Sequence, residues 1–148
     1  MKILIIDNYD SFTFNLYQAV GEILSSGGQS RSVVDVVRND KITVKGIEMK
    51  KYNRIIISPG PGNPGEKKYF GICGRVITEL GKKIPVLGVC LGMQGIADCF
   101  GGRVIRAKKP HTVFVDEVQR VPSLLNTIQA ILDQPKSPRF LLSGSSAR

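Results

Sequence analysis

Short apolar runs without polar interruption alternate along this chain with longer stretches in which apolar residues recur every three or four positions. Ile3-Leu4-Ile5-Ile6 and Ile55-Ile56-Ile57 are runs of the first kind, and they predict strands buried on both faces, as in a parallel sheet. Strands are expected at Lys2 to Ile6, Ser32 to Val37 and Arg54 to Ser58, then over Val86, Leu87 and Val89, and at Arg103 to Arg106. Phe14, Leu16, Tyr17, Val20, Ile23 and Leu24 keep helical spacing, which predicts a helix over Phe14 to Leu24, closed by Ser25-Ser26-Gly27-Gly28. Ile42 to Met49 reads as a short helical or irregular crossover, Tyr69 to Leu80 as one helix, and Met93 to Phe100 as another. This order predicts an α/β fold with a doubly wound, mostly parallel sheet, its functional loops at the C-terminal ends of the strands.

The last quarter of the chain has a different texture. Leu124, Leu125, Ile128, Ile131 and Leu132 predict one amphipathic helix with Ser123 as N-cap, stopping near Asp133 to Pro135. From Lys136 onward Ser, Pro, Gly and Arg predict a frayed end. At 148 residues the chain is expected to form a single domain, 1–148. No apolar stretch is long enough for a membrane span, and the run after Met1-Lys2 is too short for the core of a signal peptide, so a cytoplasmic location is expected. The net charge of +9 is carried as scattered lysine pairs without interleaved aromatics, which speaks against a nucleic-acid surface and favours an anionic ligand or an acidic partner. Three cysteines at scattered positions fit a reducing compartment, with Cys73 and Cys99 on helical patterns as packing residues. No metal-ligand spacing is present and no cofactor is expected.

Cys90 is the candidate nucleophile. In Gly88-Val89-Cys90-Leu91-Gly92 it falls on the turn between an apolar strand and a helix, bracketed by glycines that let the backbone turn tightly. A cysteine there points its sulfur out of the sheet, near backbone N–H groups and the positive end of a helix dipole, and both favour thiolate. Asp7 and Ser58 to Asn63 also fall at strand ends, so the three segments are expected to share one site.

Gly88-Val89-Cys90-Leu91-Gly92-Met93-Gln94 resembles the nucleophile motif of class I glutamine amidotransferases. Asp7-Asn8-Tyr9-Asp10-Ser11-Phe12-Thr13 resembles the opening of the glutaminase subunits of anthranilate synthase and aminodeoxychorismate synthase, and Ser58-Pro59-Gly60-Pro61-Gly62-Asn63-Pro64 resembles their oxyanion loop. Arg38-Asn39-Asp40 and Phe100-Gly101-Gly102-Arg103 are similar as well, so residues 1–109 are family-like and 110–148 form a divergent tail. The resemblance implies a flavodoxin-like amidotransferase domain that lacks its C-terminal part.

The resemblance further implies that Cys90 attacks the side-chain amide of glutamine, forms a thioester and releases ammonia for a synthase catalytic subunit of the tryptophan or folate branch. Gly60 and Leu91 would form the oxyanion hole, and Gly60, Pro61, Gly62 and Gln94 would bind glutamine. Gln94 also reads as an ordinary exposed helix residue. Asn8, Tyr9, Asp10 and Ser11 would face the synthase partner, while Asp10 or Ser11 equally reads as the cap of the first helix. The family's His-Pro-Glu segment, which completes the triad, has no counterpart, and the single histidine is His111. An alternative reading is therefore a catalytically incomplete relative that acts as a binding partner, and a third is a cysteine enzyme pairing Cys90 with His111.

Overall fold

The computed structural model describes residues 1–28, 32–104, 112–115, 123–133 and 137–142. The chain divides into two compact units, Met1–Val104 and Ile105–Arg148, where the sequence suggested one domain.

In the first unit, β1 (Lys2–Asp7), β2 (Val33–Arg38), β3 (Arg54–Ile57) and β4 (Val86–Gly88) form a parallel sheet in the order β2-β1-β3-β4. The chain leaves β1 for β2 on one side and then crosses to β3 on the other. The crevice beyond the C-terminal ends of β1 and β3 is thus the topological switch point, where open α/β sheets bind ligands. Register fixes the faces: Leu4 pairs with Ile55 and Ile6 with Ile57, and these four join Ile47, Phe70, Val76, Leu80 and Leu91 in the main core. Ile3, Ile5 and Ile56 alternate onto the opposite face and meet Leu24 of α1 (Thr13–Ser26).

The expected strands and helices of residues 1–100 are present, with shifts of one or two residues at their ends except where a helix is broken. The crossover over Ile42 to Met49 is the helix α2 (Val44–Lys50), whose N-cap Thr43 accepts a hydrogen bond from the Gly46 N–H at 3.1 Å. The single helix expected over Tyr69 to Leu80 is broken into α3 (Lys67–Phe70) and α4 (Cys73–Arg75), which runs on as a π-helical stretch, Val76–Leu80. The break is at Gly71, φ 52°, where the backbone closes on Asn39 so tightly that a Cβ would lie 2.8 Å from the Asn39 Cγ. After β4, Val89 and Cys90 lead into α5 (Leu91–Cys99). Arg103 and Val104 are not in a strand, and the rest of the strand expected at Arg103 to Arg106 lies outside the described residues.

The second unit holds β5 (Thr112–Val115), α6 (Ser123–Leu132) and β6 (Arg139–Leu142). The amphipathic helix is where its spacing placed it, with Ser123 inside its first turn. The frayed end expected from Lys136 is corrected: Arg139 to Leu142 pairs in parallel with Thr112 to Val115, Phe140 beside Val113. The apolar Phe140-Leu141-Leu142 is what makes that stretch a strand, and the Ser, Pro and Arg around it masked the signal. No helix among the described residues is long and apolar enough to cross a membrane.

Candidate active site

Each of the sequence-predicted segments is placed at the C-terminal edge of the sheet by the strand that precedes it. After β1, the Asp7 carboxylate accepts hydrogen bonds from the Asp10 N–H at 3.2 Å and from the buried Thr13 hydroxyl at 2.9 Å, which ties the loop to the first turn of α1. Asp10 accepts from the Phe12 N–H at 2.8 Å; Phe12 stands at the N-cap position without a side-chain cap of its own. The expectation that Asp10 or Ser11 caps the first helix is corrected: Phe12 holds the N-cap position, and Asp10 closes an Asx turn just before it. Tyr9 takes φ 62° and lies beneath the Arg38 guanidinium, 4.5 Å from ring centre to Cζ. Its hydroxyl donates to Asp40 Oδ1 at 2.9 Å and holds that carboxyl below its ordinary value. Tyr9 and Ser11 are exposed and Asp10 is half-buried, whereas Asn8 is 1% exposed. The expectation that the Asn8 side chain faces a partner is corrected on that point: it points into the protein, toward the loop after β3.

That loop begins at Ser58, which is fully buried. The Ser58 hydroxyl accepts from the Asn8 N–H at 2.9 Å and donates to the Pro59 carbonyl at 2.7 Å, while Asn8 Nδ2 donates to the Ser58 carbonyl at 2.9 Å. At Gly60 a Cβ would lie 2.6 Å from the Asn8 Cβ and 2.7 Å from Leu91 Cδ2, so the loop packs between Asn8 and the residue after Cys90. Gly62, φ 79°, closes on the ring of Tyr69 so tightly that only a residue without a side chain fits.

After β4, the Val89 N–H still pairs with the Ile57 carbonyl at 3.0 Å, and the chain then turns at Cys90 with φ 49° and ψ −107°. A side chain rarely adopts that conformation, and the thiol it presents is exposed at the head of α5. The bracketing glycines are needed for contact rather than for torsion. A Cβ on Gly88 would meet the Gly92 carbonyl carbon at 2.4 Å, and one on Gly92 would meet the Ile57 oxygen at 2.3 Å. Leu91, as the first residue of α5, has an N–H with no acceptor inside its own helix. Gln94 is half-buried one turn along and donates its backbone N–H to the Cys90 carbonyl at 2.9 Å.

The structure therefore brings Gly60 and Leu91 together beside Cys90, with Pro61 and Gly62 exposed on the same loop. His111 lies outside the described residues. Cys73 and Cys99 are packing residues as expected. Burial pushes the Cys73 thiol up to about 12, and its S–H lies 3.3 Å from Asn8 Oδ1; burial raises Cys99 as well. Asn39 and Tyr69, which the sequence reading did not place in the site, tie these loops together; the Arg38-Asn39-Asp40 segment was the available signal. Among the described residues no three His, Cys, Asp or Glu side chains are grouped to hold a metal ion.

Residues 4–135 match the model of the family described as glutamine amidotransferase class-I. Anthranilate synthase component 2 of Leptospira biflexa is 57% identical over 107 residues, covering 72% of this chain and 53% of that protein. A protein of the same name from Acetivibrio thermocellus is 55% identical over 97 residues, 66% of this chain and 96% of that protein. The bifunctional protein TrpGD of Thermotoga maritima is 44% identical over 108 residues, 73% of this chain and 17% of that protein. The chain spans about half the length of the first curated relatives it matches. With a matching family model over most of its length and relatives of that kind more than half identical to it over the matched residues, the chain belongs to the class I glutamine amidotransferases.

Proposed function

We propose that this chain carries the glutaminase half-site of an anthranilate synthase, or of the closely similar aminodeoxychorismate synthase, and supplies ammonia to the synthase catalytic subunit. Cys90 is the nucleophile: its thiolate adds to the side-chain carbonyl carbon of glutamine, the C–N bond breaks, and the nitrogen leaves as ammonia once it has taken up a proton. Water then cleaves the γ-glutamyl thioester to glutamate and frees the thiol. The Leu91 and Gly60 N–H groups stabilise the oxyanion that develops in both additions. Pro61, Gly62 and Gln94 line the glutamine side, and Tyr9, Asp10 and Ser11 offer the exposed surface for the synthase subunit, with Asn8 supporting them from below.

The observation that carries this reading is the exposed, torsionally strained Cys90 at the head of α5 with the glycine loop seated on Leu91. Incubation of the chain with a chloroketone analogue of glutamine, followed by peptide mapping, tests it. Modification at Cys90 that free glutamine slows is the expected result; modification spread over all three cysteines and indifferent to glutamine contradicts it.

A second reading is favoured by the sequence itself, in which His111 is the one histidine and no His-Pro-Glu segment occurs. Protonating the departing nitrogen and activating water both call for a base, and loss of the base in a catalytic triad costs on the order of a thousandfold or more. On this reading the chain binds glutamine and a synthase subunit, reacts with electrophiles at Cys90, and turns over poorly.

A further inference from the structure

The loop from Ser58 to Gly62 is held at both ends by groups that converge on one side chain. The Asn39 carboxamide is 2% exposed, and its single nitrogen donates both protons, one to Asn8 Oδ1 at 2.8 Å and one to the Tyr69 carbonyl at 2.8 Å. Asn8 in turn donates to the Ser58 carbonyl at the start of the loop, and the Tyr69 ring lies against Gly62 at its end. Asn39 itself is fixed by its backbone. Its N–H donates to the Asp7 carbonyl at 3.0 Å, its carbonyl accepts from the Ile72 N–H at 3.4 Å, and Gly71 packs on it at van der Waals limits. Its side chain is therefore a fixed bracket, and the loop is what it positions.

We propose that Asn39 is a positioning residue of the glutamine site, a clasp whose two hydrogen bonds set the Gly60 N–H at the distance the oxyanion requires. The proposal rests on the glutaminase reading above. It does not follow from packing alone, because an apolar residue of the same volume would fill the space and leave the two acceptors, Asn8 Oδ1 and the Tyr69 carbonyl, free to move apart. Misplacing a catalytic donor by about 1 Å costs on the order of a hundredfold in rate, whereas the intrinsic reactivity of an exposed thiol is indifferent to it.

The test compares two alkylation rates at Cys90 in the full chain. A chloroketone analogue of glutamine draws on the oxyanion donors; iodoacetamide reads only the access and ionisation of the thiol. Asn39→Ala is expected to lower the ratio of chloroketone to iodoacetamide rates by about tenfold or more, with the iodoacetamide rate within about twofold of the parent. An unchanged ratio in folded Asn39→Ala, or both rates falling together, overturns the clasp and leaves the glutaminase reading intact. If Asn39→Ala does not fold, Asn8→Asp decides: it keeps the oxygen that faces Asn39 and removes the donor to Ser58, and the same selective loss is expected. Should neither variant fold, the network is a requirement of the fold and the proposal fails. A parent chain that reacts no faster with the glutamine analogue than with a chloroketone lacking the amino-acid end fails differently, since it overturns the glutaminase reading on which the clasp depends.

Discussion

At Cys90 the backbone is held at φ 49° and ψ −107°, a conformation that costs a side-chain-bearing residue about 1–3 kcal/mol. The surrounding contacts sustain it, because Gly88, Gly92 and Ile57 meet backbone to backbone. Cys90→Gly removes the strain at the expense of some unfolded-chain entropy, so it is expected to stabilise the chain by about 1 kcal/mol while abolishing chloroketone labelling. Gly88→Ala acts in the opposite sense: its Cβ meets main-chain atoms that cannot swing aside, and a loss of about 2 kcal/mol or more is expected in urea unfolding. Cys73 supplies a pH signature. Burial raises its thiol from 9.0 to about 12, so folding favours the protonated form. That contribution is complete below pH 9 and is lost as pH climbs toward 12; Tyr52, raised by burial and by Asp35, moves the same way. The urea midpoint is expected to fall across this range, and less steeply in Cys73→Ala. An unchanged slope in that variant would place the alkaline sensitivity elsewhere.

At the scale of elements, the parallel strands were legible because Ile3 to Ile6 and Ile55 to Ile57 admit no reading other than full burial, and β1 and β3 lie where those runs are. The turn at Cys90 was legible for a different reason, since a cysteine between two glycines after an apolar run is an unusual local arrangement. The break at Gly71 was not legible. Apolar spacing from Tyr69 to Leu80 is helical throughout, and what interrupts it is a tertiary contact with Asn39, more than thirty positions earlier in the chain. The same applies to the contacts of Asn39 and Tyr69, which depend on which loops meet; Arg38-Asn39-Asp40 marks the segment but not its partners. Strand β6 escaped because its three apolar residues, Phe140 to Leu142, lie within a stretch dominated by Ser, Pro and Arg. Gly71→Ala is predicted to cost about 2–3 kcal/mol, combining positive φ with a Cβ pressed on Asn39. Because Asn39 holds the loop, that variant is also expected to slow chloroketone labelling of Cys90 more than iodoacetamide labelling. Equal slowing of the two would contradict this coupling.

Over the whole molecule, Met1–Val104 is a sheet whose two faces are unequally covered. One carries the main core under α2, α4 and α5. On the other, α1 leaves a groove of about 310 Å³ floored by Ile3, Ile55 and Ile56 and flanked by Ile23 and Leu87, which are 70% and 57% exposed. An apolar dye is expected to bind there, with fluorescence reduced in Ile23→Glu; dye binding indifferent to that change would locate the apolar surface elsewhere. The C-terminal edge of the sheet is more complete, for the loops after β1, β2, β3 and β4 interlock through Asn8, Asn39, Ser58 and Leu91. We propose that this edge turns over glutamine, with Cys90 as its nucleophile. Glutamine-dependent ammonia release by the purified chain, alone and with an anthranilate synthase catalytic subunit, measured against Cys90→Ser, tests it most directly. Release that rises with the synthase subunit and disappears in Cys90→Ser is the predicted result; release that persists in Cys90→Ser, or none in a folded chain whose Cys90 is accessible, contradicts it.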